Sequence, residues 1–144
     1  MSADPAIVAA LRTTDLFSSL SKRALDRVAS QATMVRHDPG KEITEEGGGG
    51  IGFHLITDGT ASVTVHGVRR ADLGPGEYFG EISLIDGKPR SATVTAETPL
   101  TTVSLVSWVF TPILDEEPEV SKSILKVMCE RLRTNEQAEI RPQA

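Results

Sequence analysis

Glu81 and Arg90 stand nine residues apart in the stretch Gly76 to Ala96, GEYFGEISLIDGKPRSATVTA. The triplet Phe79-Gly80-Glu81 follows a turn, and Glu81 to Ile85 can form one turn of helix. The first N–H groups of such a turn have no internal acceptor, so they can hold an anion. Gly80 lets a ligand come close to the backbone. Arg90 can set a fork of donors on two phosphate oxygens. Glu81 can accept from a sugar hydroxyl, and Ser91 adds one more donor, to a phosphate or a base. This chemistry suits a small charged sugar-phosphate that is held rather than converted. The same residues also permit a structural ion pair between Glu81 and Arg90 that pins a loop, with Gly80 a simple turn residue. Residue types and spacing leave both open.

The surrounding chain divides into three zones. Residues 3–31 read as helical: Pro5 suits a first turn, Ile7, Val8 and Leu11 share a face, and Ser21 caps a second helix bearing Leu25, Val28 and Ala29. Leu16, Phe17 and Leu20 form a buried connector between them. Residues 33–107 lose that period. Turn signals recur at Asp38-Pro39-Gly40, Gly47 to Gly50, Asp58-Gly59, His66-Gly67, Gly74-Pro75-Gly76 and Asp86-Gly87. Between them lie short Val-, Ile- and Thr-rich runs, which predict a β-sandwich or roll. Residues 108–135 return to helix. Trp108 to Leu114 is a short apolar segment, and a longer helix starts near Ser121 with Ile124, Leu125, Val127, Met128 and Leu132 apolar. The polar tail, residues 136–144, is expected to fray.

Composition narrows the classes. The chain has 144 residues with a formal charge of −5, a size at which one domain buries roughly 68–70% of its unfolded surface. Residues 1–144 are therefore read as a single domain. The acidic balance disfavours direct nucleic-acid binding, which needs a basic face. No run approaches the ~18 apolar residues of a membrane span. A single Cys129 fits a reducing compartment. Asp4 stands where a signal peptide carries basic residues, and the expected location is cytoplasmic. His37, His54 and His66 lack the spacing of a metal set and are expected on strand surfaces. No nucleophile elbow or Cys–His motif is present, so no catalytic residues are assigned. Cys129 reads as core and Trp108 as an anchor packing helices on the roll.

Phe79 to Ile85 and Arg90 to Val94 resemble the phosphate-binding cassette of cyclic nucleotide-binding domains, of the cAMP receptor protein and protein kinase A regulatory-subunit type. The family pattern runs F-G-E-[IL]-[AS]-L-[IL], a short turn, then R-[SAT]-A-[TS]-V. Gly40, Ile43, Glu46-Gly47 and Gly59 match a second family pattern upstream, with Phe53 and Ile56 at its apolar strand positions. Leu16-Phe17 and Leu20-Ser21 resemble the family's entry helices, so the resemblance covers about residues 7–135. It departs where Gly48 and Gly49 replace an acidic residue often found after the E-G pair.

The resemblance implies a fold that is mainly β with flanking helices (α+β). It is a double-stranded β-roll, or jelly roll, with N-terminal helices, a short cassette helix and C-terminal helices. Arg90 would pair with a cyclic phosphate and Glu81 with the ribose 2′-hydroxyl. Backbone N–H groups from Gly80 through Ile82 to Ser83, and at Ser91, would complete the cradle next to Phe79, and Val63 would line the base pocket. Ser91 leans the ligand toward cAMP, with cGMP the second candidate. The implied function is a non-catalytic regulatory domain with no cofactor. A nucleotide would act on an effector protein through movement of the C-terminal helix, which would fold over the base as a lid, with Arg131, Arg133 or an apolar side chain over the purine. The alternative is a regulator or scaffold of the same fold, or part of a transcription factor, acting through protein contact without its own ligand.

Overall fold

The computed structural model describes residues 3–44, Gly47, 52–88 and 92–140, with side chains in the last helix described through Asn135. Two N-terminal helices open the chain. In α1 (Pro5–Arg12) Asp4 Oδ1 caps Ala6 N at 2.8 Å, and in α2 (Lys22–Ala29) Ser21 Oγ accepts from Ala24 N at 3.2 Å. Both caps satisfy N–H groups that a helix cannot satisfy itself. The connector between them is buried, with Leu16 1%, Phe17 0% and Leu20 3% exposed.

Eight strands follow: β1 (Thr33–His37), β2 (Glu42–Thr44), β3 (Gly52–Asp58), β4 (Ala61–Val65), β5 (Val68–Leu73), β6 (Tyr78–Phe79), β7 (Thr93–Ala96) and β8 (Leu100–Val106). They form two four-stranded antiparallel sheets, β1-β8-β3-β6 and β2-β7-β4-β5. The β4–β5 hairpin closes over His66 and Gly67, both at positive φ (51° and 75°), the geometry a two-residue turn needs to match strand twist. Gly59 sits at φ 91° with space closed above it: a Cβ there would lie 2.2 Å from the Pro99 carbonyl oxygen.

The register explains the two cores. In the first sheet Phe53 faces Leu105 and Leu55 faces Val103, and this surface packs beneath the helices with Phe17, Phe110 and Ile113. The opposite face, with Ile56 and Leu100, meets Ala61, Val94 and Ala96 of the second sheet inside the roll. Phe17 bridges to Phe53 and Phe110 edge-on, at 5.9 and 6.2 Å between centroids.

Two helices end the fold, α4 (Ser107–Glu116) and α5 (Pro118–Ile140). The second starts at Pro118, a favoured first-turn position, rather than near Ser121, and continues to Ile140 where the polar sequence suggested a frayed tail. It is tied to the N-terminal helices. Ser21 donates its N–H to Glu119 Oε1, and its hydroxyl to Glu119 Oε2 at 2.8 Å. Ser123 Oγ donates to the Leu16 carbonyl at 2.6 Å, and Arg23 pairs with Glu117 at 2.6 Å.

Three readings are corrected here. Trp108 is 66% exposed, not an anchor. The buried face of α4 is set by Phe110 and Ile113, and a residue two positions before Phe110 lies 200° around the helix. Cys129 is exposed, not core, for the same reason: it lies two positions past buried Val127. Leu125 and Leu132 share that outer face, at 64% and 61% exposed. His37 is 8% exposed and lies inside the roll rather than on a strand surface. Its Nε2 is 3.0 Å from Thr102 Oγ1, Thr102 is 3.1 Å from Ser104, and Ser104 is 2.8 Å from His54 Nδ1. Among the described side chains its Nδ1 is the one buried polar atom without a partner. Burial, and then the charge of Lys41, push its pKa down.

Candidate functional site

The site is built where β6 leaves the first sheet. Tyr78 pairs with Leu55 and Phe79 with His54 on β3. The Tyr78 ring packs on Phe53 at 5.3 Å, and Phe79 stacks on His54 at 5.1 Å and 23°. Gly80 then turns the chain at φ 85°, a left-handed conformation that favours glycine. The short helix α3 (Glu81–Asp86) starts at once, anchored by Leu84, which is 2% exposed. Leu84 N donates back to the Gly80 carbonyl at 3.0 Å, so the preceding N–H groups of this turn have no acceptor within the helix. No side chain caps the turn.

A cavity of about 260 Å³ opens beside this turn, close to the lower edge of small-molecule pockets at roughly 300 Å³. One wall is the turn itself, from Phe79 through Gly80, Glu81, Ile82 and Ser83. The other is the second sheet, with Val63, Leu73 and Val94 apolar and Thr44 supplying a hydroxyl. A charged, hydrogen-bonding end thus faces an apolar end, the division a nucleotide's sugar-phosphate and base require.

Eight of the singled-out positions can be placed, Arg131 among them. Phe79, Gly80, Glu81, Ile82, Ser83 and Val63 line this one cavity. Arg133 is exposed on α5. Arg90 and Ser91 lie outside the described residues. Thr44, Leu73, Tyr78, Ala92 and Val94 also line the cavity and were not singled out. Tyr78 had a signal, its place directly before the FGE triplet. Thr44 had none beyond its position on a short strand.

Glu81 is held from the far end of the chain. Arg131 of α5 donates through Nη1 to Glu81 Oε1 at 2.6 Å and through Nη2 to the Tyr78 hydroxyl. Its guanidinium carbon also sits 5.7 Å from the Tyr78 ring centre, within cation–π range. Burial works against the charge on Arg131, yet the Glu81 carboxylate outweighs it and its pKa is raised. The Tyr78 phenol is pushed up, first by burial and then by its hydrogen bond to Asp15. No group of three or more His, Cys, Asp or Glu among the described residues could hold a metal ion. No described helix is long and apolar enough to cross a membrane.

Comparison with known proteins fits this geometry. The model of the cyclic nucleotide-binding domain matches residues 34–117. The chain belongs to the cyclic nucleotide-binding domain family. It is 36% identical over 97 residues to a cAMP-dependent protein kinase regulatory subunit of Yarrowia lipolytica, covering 66% of this chain and 26% of that protein. The chain spans about a tenth to a third of the length of curated relatives it matches. Its fold is similar to the N-terminal domain of a transcriptional regulator from Streptomyces coelicolor A3(2), with a TM-score of 0.81, 28% identity, and 92% and 96% of the two chains covered. It is also similar to the regulatory domain of Toxoplasma gondii PKA, solved with cAMP. There the TM-score is 0.68 and the identity 27%, over 74% and 42% of the chains. The expected β-roll with flanking helices is the fold observed.

Proposed function

We propose that this domain binds a 3′,5′-cyclic nucleotide without converting it, prefers cAMP to cGMP, and signals through the position of α5. The observation that carries this is the cavity in which the Gly80 to Ser83 turn and the Glu81 carboxylate face an apolar wall, with Glu81 held by Arg131 from α5. In this reading the turn's free N–H groups and Arg90 hold the cyclic phosphate. Glu81 keeps Arg131 on Oε1 and accepts the ribose 2′-hydroxyl on its other oxygen. The purine lies against Val63, Leu73 and Val94, and Ser91 sits at the phosphate–base junction. The presence of cAMP in the similar Toxoplasma domain supports the choice of ligand.

A ligand shifts α5 only through its different affinity for the docked and undocked helix. Arg131 supplies that difference, because the helix and the ribose share Glu81. An effector protein receives the signal. Amide chemical shifts followed during a cAMP titration test the site. Shifts centred on Gly80 to Ser83, Val63 and Arg131 are expected; shifts confined to other surfaces would refute it.

A further inference from the structure

Arg131 contacts more than Glu81. Tyr78 and Asp15 form a second support behind it, and each is fixed by the fold rather than by the pair. The Tyr78 ring is set by its packing on Phe53 and by strand pairing with Leu55. Asp15 sits in the connector between α1 and α2, flanked by Thr14 and Leu16, which are 2% and 1% exposed. Thr14 Oγ1 locks that turn by donating to the Leu11 carbonyl at 2.8 Å and accepting from Phe17 N at 3.2 Å.

The polarity of the chain of bonds is fixed by chemistry. A guanidinium has donors and no acceptor, so the Tyr78 oxygen must accept from Arg131. Its single proton then needs an acceptor elsewhere, and Asp15 Oδ1 provides it. The raised pKa of Tyr78 keeps that proton in place through the neutral range.

We propose that Tyr78 and Asp15 are positioning residues: they latch Arg131, and with it the distal half of α5, onto Glu81, and so join the α1–α2 connector to the nucleotide site. This rests on reading the Glu81 cavity as that site. The proximal half of α5 is already tied to the same connector through Ser123 and Leu16. The latch makes connector, cassette and α5 one mechanical unit, in which Asp15 acts only through the Tyr78 hydroxyl.

Hydrogen exchange of the ligand-free protein reads the latch without any nucleotide. Tyr78→Phe keeps the ring and removes the hydroxyl. It is expected to speed exchange in residues 127–135 about five- to tenfold, the scale of one net hydrogen bond. Exchange in β3 should stay unchanged. Asp15→Ala is expected to produce a smaller rise, Asp15→Asn to restore most of it, and Tyr78→Phe with Asp15→Ala to match Tyr78→Phe alone. The same order is expected for loss of cAMP affinity. Unchanged exchange at 127–135 in Tyr78→Phe, additive effects in the double variant, or equal loosening of β3 would each overturn the latch. Wild-type protein that binds no cAMP, with the exchange pattern as expected, would refute the nucleotide reading and leave the latch standing.

Discussion

Glu81 on the cassette helix and Arg131 on the last helix, 50 positions apart, meet at 2.6 Å. The pair joins the residue expected to hold the ribose to the helix expected to move. Arg131→Met keeps length and apolar packing while removing the charge. Its side chain is 36% exposed, so solvent screening tempers the interaction. The expected loss of cAMP affinity is about 1–2 kcal/mol. Chemical denaturation should show a fold nearly as stable as wild type, and titration calorimetry measures the affinity.

Arg90 carries the phosphate in the proposed function. Arg90→Leu is expected to lose about 1.5–3 kcal/mol or more of nucleotide binding, the scale of a charged hydrogen bond, with the fold intact. Titration of this variant beside a thermal melt separates that outcome from the structural ion pair. Severe unfolding would favour the pair.

His37 gives the roll a pH dependence of known sign. Its folded pKa is below the ordinary value of 6.5 because it is buried and faces Lys41, with the His54 ring 6.0 Å away. The unfolded chain therefore binds the proton first. The contribution of neutral His37 is fully present above about pH 6.5 and is lost as pH falls from there through the folded pKa. His37→Gln is expected to flatten this part of the curve. Denaturant midpoints of both proteins at pH 7.5 and pH 5 measure the difference.

Phe53 and Trp108 separate core from surface. Phe53 is fully buried between Phe17 and Tyr78, and Phe53→Ala should cost about 3–5 kcal/mol. Trp108→Ala should stay within about 0.5 kcal/mol of wild type, as an exposed substitution does. Urea unfolding followed by circular dichroism checks both.

Local chemistry was readable in the sequence. Ser21 caps α2, the His66-Gly67 pair turns a hairpin, and the Gly80 turn opens α3, because each depends on a few adjacent residues. The buried connector at Leu16, Phe17 and Leu20 was readable too, since three large apolar side chains between two caps must be covered. Period alone does not say which of two apolar stripes on α5 meets the body. Ile124 and Val127 are buried, while Leu125, Cys129 and Leu132 are exposed, and docking of the helix decides between them. The polar chain from His37 to His54 escaped for a related reason. Strand alternation marks two faces, and here the face closed inside the roll carries histidines and hydroxyls that bond to one another, leaving only the buried His37 Nδ1 without a partner among the described side chains. The bond between Glu81 and Arg131 depends on the path of the whole chain, so no local spacing encodes it.

Titration calorimetry of the protein, stripped of co-purified ligand, with cAMP and then with cGMP tests the central claim most directly. Saturable binding of one cAMP per chain at about micromolar affinity or tighter, roughly −8 kcal/mol, with weaker binding of cGMP, is the predicted result. Absence of binding to either nucleotide would contradict it.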